Sequence, residues 1–276
     1  RRPARVTAPG AIALALGRRL ASYRWLAAAV GLGLLVVAIF AVLAAGDAEA
    51  AARDELRRGV AGLLLVGGMV VALGLGASAL NTDADGGHQG LLLATGISRV
   101  RLVIEVILAR TAALMAVLAT WAIGAQAASL VLGLGLDGPL AVHTLAMAET
   151  LALSLLGAAA SSSVVGRVAA AVGGLGTFVI AQAVVNLKAA ADEGVIGTAG
   201  DGIAGVYFFF PRAITSPMIS DLQERDAAGI AAPQIDINGN IVTVPPSDAA
   251  TVAWTLVWCG VLVAFAVAGY RRRTVN

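Results

Sequence analysis

From Trp25 to Ala45 the chain carries not one charged residue, and the same holds from Gly59 to Leu80, from Val168 to Leu187 and from Thr251 to Tyr270. An α-helix needs roughly 20 apolar residues to cross about 30 Å of hydrocarbon, and each stretch supplies about that length. Two further apolar stretches, from Leu102 to Leu132 and from Leu140 to Ser162, are interrupted only by Glu105, Arg110, His143 and Glu149. Six transmembrane helices are therefore expected, the third long enough to tilt or to project beyond the bilayer. A β-barrel is excluded, because its strands alternate polar and apolar residues and these runs show no period of two. The expected fold class is an all-α integral membrane protein, with a single transmembrane domain over residues 1–276.

Composition agrees. Hydrophobic residues make up 59% of the chain and charged residues 13%, where a soluble domain carries roughly a quarter charged. The 33 glycines and the alanine runs suit helices that must approach closely where no hydrophobic effect drives their association. A net charge of +2 gives no pull toward nucleic acid. The single cysteine, Cys259, permits no intrachain disulfide, and neither His88 nor His143 has zinc-site spacing. No metal site and no catalytic residue are expected. The N-terminal stretch, with Arg1, Arg2, Arg5, Arg18, Arg19 and Arg24, lacks the short apolar core and small-residue cleavage site of a signal peptide.

Arginine and lysine set the expected orientation. With both termini in the cytoplasm, the inner segments hold those six arginines together with Arg99, Arg101, Arg167, Arg271, Arg272 and Arg273. The outer segments hold Arg53, Arg57, Arg58, Lys188, Arg212 and Arg225. Basic residues favour the cytoplasmic side, so both termini are expected inside. Enrichment in Ala, Gly, Val and Arg points to a bacterial source and hence to the bacterial cytoplasmic membrane.

The flanking segments carry structure of their own. Within residues 1–24, Ile12, Leu14, Leu16 and Leu20 beside Arg18 and Arg19 suit a short interfacial helix; a plain extension of the first span is the alternative. Residues 188–250 are expected outside as a small folded cap. Ser216-Pro217 reads as a helix start, and Asn238-Gly239 between alternating apolar residues as a hairpin. An apolar patch runs from Val206 to Phe210, and part of Gly194 to Phe210 is open to a re-entrant reading. The chain shows no convincing internal repeat.

Between the second and third spans, residues 81–99 read Asn-Thr-Asp-Ala-Asp-Gly-Gly-His-Gln-Gly-Leu-Leu-Leu-Ala-Thr-Gly-Ile-Ser-Arg. Asp83 and Asp85 would favour the positive end of a short helix, Leu91, Leu92 and Leu93 would give it an apolar face, and Gly96 would end it. An exposed apolar helix between two spans is a natural docking knob for a soluble partner.

This segment resembles the cytoplasmic loop of type-2 ABC transporter permeases, the bacterial drug, polyketide and polysaccharide exporter family. Asp83 and Asp85 match the family's acidic positions, Gly87 its glycine, Leu91 to Thr95 its leucine run, and Ile97, Ser98 and Arg99 the end of that run. His88 stands where the family has threonine, Gly96 where it has proline, and Glu105-Val106 where a Gly-Lys pair is common. The resemblance implies that Asp83, Asp85, Gly87, Leu91, Leu92, Leu93, Ser98 and Arg99 belong to a coupling helix seated on a separate ATPase. It further implies a dimer of ATPase subunits carrying ATP and Mg, and a second permease chain, identical or related, across the substrate path. This chain has no GxxxxGK[ST] loop, so ATP hydrolysis is expected in the partner and not here.

Arg110 and Glu149 are the charges expected within the hydrocarbon, where an ionisable group pairs or faces a cavity. A helix-locking Arg110–Glu149 pair is the leading expectation; lining the substrate path, or snorkelling of Arg110 apart from Glu149, are the others. Gln126, His143 and Gln182 read as interhelical hydrogen-bond partners, and Ser161-Ser162-Ser163 as packing or capping. An ion-gradient-driven secondary transporter is the alternative function, although it would be expected to show inverted repeats and midplane acids. An intramembrane serine protease would need a GxSG motif, which does not occur.

Overall fold

The computed structural model describes residues 10–21, 23–45, 59–60, 62–81, 97–132, 140–192, 202, 209–211, 234–237, 240–243 and 249–272. Helix α1 (Ala11–Ala21) leads through a tight turn, with Tyr23 N donating to Leu20 O, into α2 (Arg24–Ala45). A π-helical turn (Leu63–Gly67) runs into α3 (Gly68–Ala77). Then come α4 (Arg99–Val131), α5 (Leu140–Ser162) and α6 (Arg167–Asp192). A hairpin of β1 (Gln234–Ile237) and β2 (Asn240–Thr243) precedes α7 (Ala249–Arg272). Ile237 pairs with Asn240, so the hairpin turns at the Asn-Gly signal. Among the described residues the fold is thus helical apart from one small hairpin.

Among the described residues, four helices are long and apolar enough to cross a membrane: Arg24–Ala45, Arg99–Val131, Arg167–Val185 and Ala253–Arg272. Their outward faces are apolar. Val42 on α2 is 72% exposed, Ile123 on α4 69%, Val168 on α6 82% and Phe265 on α7 65%. Side chains of this kind, repeated along four helices, belong against lipid or another apolar surface.

Helix α5 forms the centre. Leu151, Leu155, Ala158 and Ala159 are fully buried, and α3, α4, α6 and α7 all pack on it. Glycine permits the closest approaches. A Cβ on Gly76 of α3 would stand 2.7 Å from Ala158 Cβ and would press on Leu155 O. A Cβ on Gly174 of α6 would stand 2.6 Å from Ser154 O and 2.7 Å from the same Ala158 Cβ. Ala158 is therefore clasped from two sides by helices that carry no side chain at the contact, the small-residue packing of membrane helices.

Helix α4 has 33 residues, or about 50 Å at 1.5 Å per residue, well beyond a hydrocarbon core of about 30 Å. Its two halves have different neighbours. Glu105 bonds the start of α1, whereas Trp121 donates from Nε1 to Val30 O of α2 at 3.3 Å. A Cβ on Gly33 would fall inside the Trp121 indole, and one on Gly67 would stand 3.0 Å from its Cη2. The buried tryptophan thus fills a notch between α2 and the π-helical turn, made by two missing side chains.

Candidate functional site at the basic end of the bundle

Helix α3 stops at Ala77, short of the apolar run that continues to Leu80. A helix end leaves carbonyls without intrahelical donors, and here those carbonyls lie in a buried environment. Arg110, 7% exposed, supplies the donors from the fourth turn of α4. Its Nη1 donates to Leu75 O at 3.0 Å and to Ser78 Oγ, and its Nη2 donates to Ser78 O at 3.1 Å. Ser78 Oγ in turn donates back to Gly74 O at 2.7 Å. The planar guanidinium reaches two carbonyls at once, and its charge sits at the negative end of the helix dipole.

The next residues are held as well. Leu80 N donates to Ser162 Oγ at 3.2 Å, and Ser162 Oγ donates to Ala159 O at 2.8 Å. Ser163 Oγ donates to Ala160 O at 2.6 Å. The serine run at the end of α5 therefore caps and packs, and it fixes the chain leaving α3. Asn81 is buried.

Residues 82–96 lie outside the described part of the chain, and with them Asp83, Asp85, Gly87, Leu91, Leu92 and Leu93. Chain description resumes at Ile97. Ser98 is the N-cap of α4, its backbone extended and its side chain accepting from Arg101 N at 3.3 Å, as N-cap serines do. Arg99 Nη1 donates to Arg271 O at 2.8 Å, tying the start of α4 to the end of α7. The described residues on either side of 82–96 are thus held in the bundle: Ser78 and Leu80 by α4 and α5, Arg99 by α7.

Glu105, one turn further along α4, clips α1 in place. Its carboxylate accepts from Gly10 N and, at Oε2, from Ala13 N at 3.0 Å. Arg101 Nε donates to Oε1 at 2.7 Å. Gly10 has φ +82°, a left-handed conformation that glycine adopts without strain, and its carbonyl accepts from Leu14 N at 2.9 Å. A carboxylate from another helix thereby caps the N-terminus of α1. Sequence reasoning noted Glu105 only as a departure from the family pattern; an acid near a span boundary, one turn after an arginine, was the available signal.

The structure does not bring Arg110 and Glu149 together, which corrects the expected pair. Arg110 is committed to the end of α3. Glu149 accepts from the Thr255 side chain on α7, and its Oε1 is buried without a hydrogen-bond partner. The physical reason is the early stop of α3, which creates a stronger local demand for a donor than Glu149 does for a counter-charge. At the same end of the bundle stand Arg99, Arg101, Arg167, Arg271 and Arg272, with Arg18 on α1. Among the described helices Lys188, near the other end of α6, is the basic residue set apart from this group.

No protein-family model and no curated protein matches the chain. What the fold defines is a class: a helical protein with several apolar helices, as a multi-pass membrane protein has.

Proposed function

We propose that this chain is the permease subunit of an ATP-driven exporter in a bacterial cytoplasmic membrane, working as a pair of permease chains on a separate ATPase dimer. In this reading the helical stretch Leu63–Ala77 and the buried α5 belong to the second and fourth of six spans. The basic end faces the cytoplasm, where positive residues accumulate, and so do both termini. The chain itself performs no hydrolysis; ATP and Mg belong to the partner.

The observation that carries the reading is the anchoring of the described residues that flank 82–96. A segment that receives force from an ATPase must pass it to the spans through its flanks. Arg110 holds Leu75 and Ser78, and Ser162 holds Leu80, on one side, and Ser98 and Arg99 begin α4 on the other. The likeness of Asp83, Asp85, Gly87 and Leu91–Leu93 to a coupling helix supplies the partner's identity.

The test is replacement of Leu92 and Leu93 by Asp in the full chain, coexpressed with a candidate Walker-motif ATPase subunit. Loss of copurification and of substrate-stimulated ATP hydrolysis, with the thermal transition of the permease unchanged, is the expected outcome. Unchanged copurification and stimulation would refute the coupling role. A gradient-driven carrier is the second reading, favoured by Glu149, an acid inside the bundle with one oxygen unpartnered; ATP-independent uptake or efflux in vesicles would select it.

A further inference from the structure

A groove of about 980 Å³ opens on the flank of the bundle between α1, α2 and α4. Its floor is α4, where Ala109, Ala112, Ala113 and Ala116 leave the helix surface bare down to Thr120. The walls come from α1, held over α4 by the Glu105 clip, and from the first turns of α2. From Leu108 to Thr120 the floor is about 18 Å long at 1.5 Å per residue, close to half of a hydrocarbon core of about 30 Å. The lining is apolar except for Thr120 and Arg18. Arg18 is exposed and makes no hydrogen bond or ion pair among the described residues.

We propose that this groove binds one anionic phospholipid of the leaflet at the basic end, an acyl chain lying along the alanine floor and the phosphate meeting Arg18. Three observations choose that occupant. The groove is one leaflet deep, its length is apolar, and the one cation among its described lining residues, Arg18, stands on α1, where a headgroup would be. A guanidinium with unused donors recognises a phosphate through a forked pair of charge-assisted hydrogen bonds. The alanines explain the cavity: larger side chains at those positions would fill it, as they do along most of the outward faces. This site is independent of what drives transport.

The test uses the purified full chain, equilibrated with equal amounts of phosphatidylglycerol and phosphatidylcholine of identical acyl chains, with retained lipid read by native mass spectrometry. One phosphatidylglycerol per chain should be kept in preference to phosphatidylcholine by roughly five-fold, the effect of one basic residue near a lipid surface. Arg18→Gln should bring that preference close to unity while a lipid is still retained. Ala112→Phe with Ala116→Phe should remove the retained lipid of both kinds. Both alanines are exposed, so helix content and thermal transition should hold, and circular dichroism checks this. Equal retention of the two lipids by the unaltered chain, or undiminished retention in the Phe variant, overturns the proposal. So does a dimer of this chain that dissociates in the Phe variant while lipid retention stays the same, because the occupant would then be a second copy.

Discussion

Replacing Arg110 by Met removes the charge and keeps most of the side-chain length, leaving the end of α3 without its donor. Two carbonyls, the buried Leu75 O and the half-buried Ser78 O, lose charge-assisted bonds, each contributing about 1.5–3 kcal/mol. Opposing this, the variant no longer holds an arginine out of water, a relief of at most about 2.5–3.5 kcal/mol on insertion scales. The net expectation is a loss of about 1–3 kcal/mol. Arg110→Lys separates two explanations. An ammonium keeps the charge but cannot span both carbonyls in the guanidinium's fork, so one bond is lost with no relief of desolvation. Lys should therefore be no better than Met. If Arg110 acted simply as a positive charge within the bundle, Lys would restore stability. A thermal-denaturation series in detergent should contain both variants, Ser78→Ala, Glu149→Ala and the two double mutants. Coupling is expected between positions 110 and 78, and additivity within about 0.5 kcal/mol between 110 and 149. Rescue by Lys, or coupling to 149 larger than to 78, would refute the capping argument.

Glu105→Gln should loosen α1 from α4 and lower stability by about 0.5–2 kcal/mol, the range for a lost helix cap; faster trypsin cleavage at Arg18 or Arg19, with the rest of the chain protected, would register it. Gly76→Val should destabilise by about 1–3 kcal/mol or more through overpacking, because its Cβ meets Leu155 O and Ala158. Gly62→Ala has open space and helical dihedrals and should raise the transition by up to about 1 kcal/mol. Asn238→Cys in a Cys259→Ser background should react with a membrane-impermeant maleimide in intact cells, and labelling only after permeabilisation would invert the proposed topology.

The helices of the bundle were legible because hydropathy over a score of residues is a cooperative signal. The first, third, fifth and sixth expected stretches reappear as helices long and apolar enough to cross a membrane. The basic end was legible too, since arginines cluster at the same helix termini in sequence and in space. Arg110's partner was not. Ser78, Ala79 and Leu80 continue the apolar run, so nothing local announces that α3 stops at Ala77. The stop depends on Arg110 and Ser162, which lie 32 and 82 residues from their bonds at Ser78 and Leu80. Pairing two opposite charges by depth alone therefore chose the wrong acceptor. The glycine contacts were legible as a class but not as positions: among 33 glycines, only packing distinguishes Gly76, against a backbone carbonyl, from Gly62, in open space. The groove could not be foreseen either, because an alanine run reads as helix propensity and becomes a hollow only when two other helices stand beside it.

The clip between α1 and α4 has a consequence for biosynthesis. Ala13 and its acceptor Glu105 are 92 residues apart, so at roughly 5–20 residues per second the ribosome needs about 5–18 s to deliver the acceptor after the donor. During that interval α1 has no protein surface to rest on, while Leu14, Leu16 and Leu20 still need cover from water. A bilayer surface can hold it meanwhile, as it holds other amphipathic helices, and α1 would dock sideways onto α4 only once α4 has been made. Nascent chains arrested before and after residue 105 should therefore differ in how readily trypsin cleaves α1 at Arg18, and the order of assembly along this flank would run opposite to the order of the sequence.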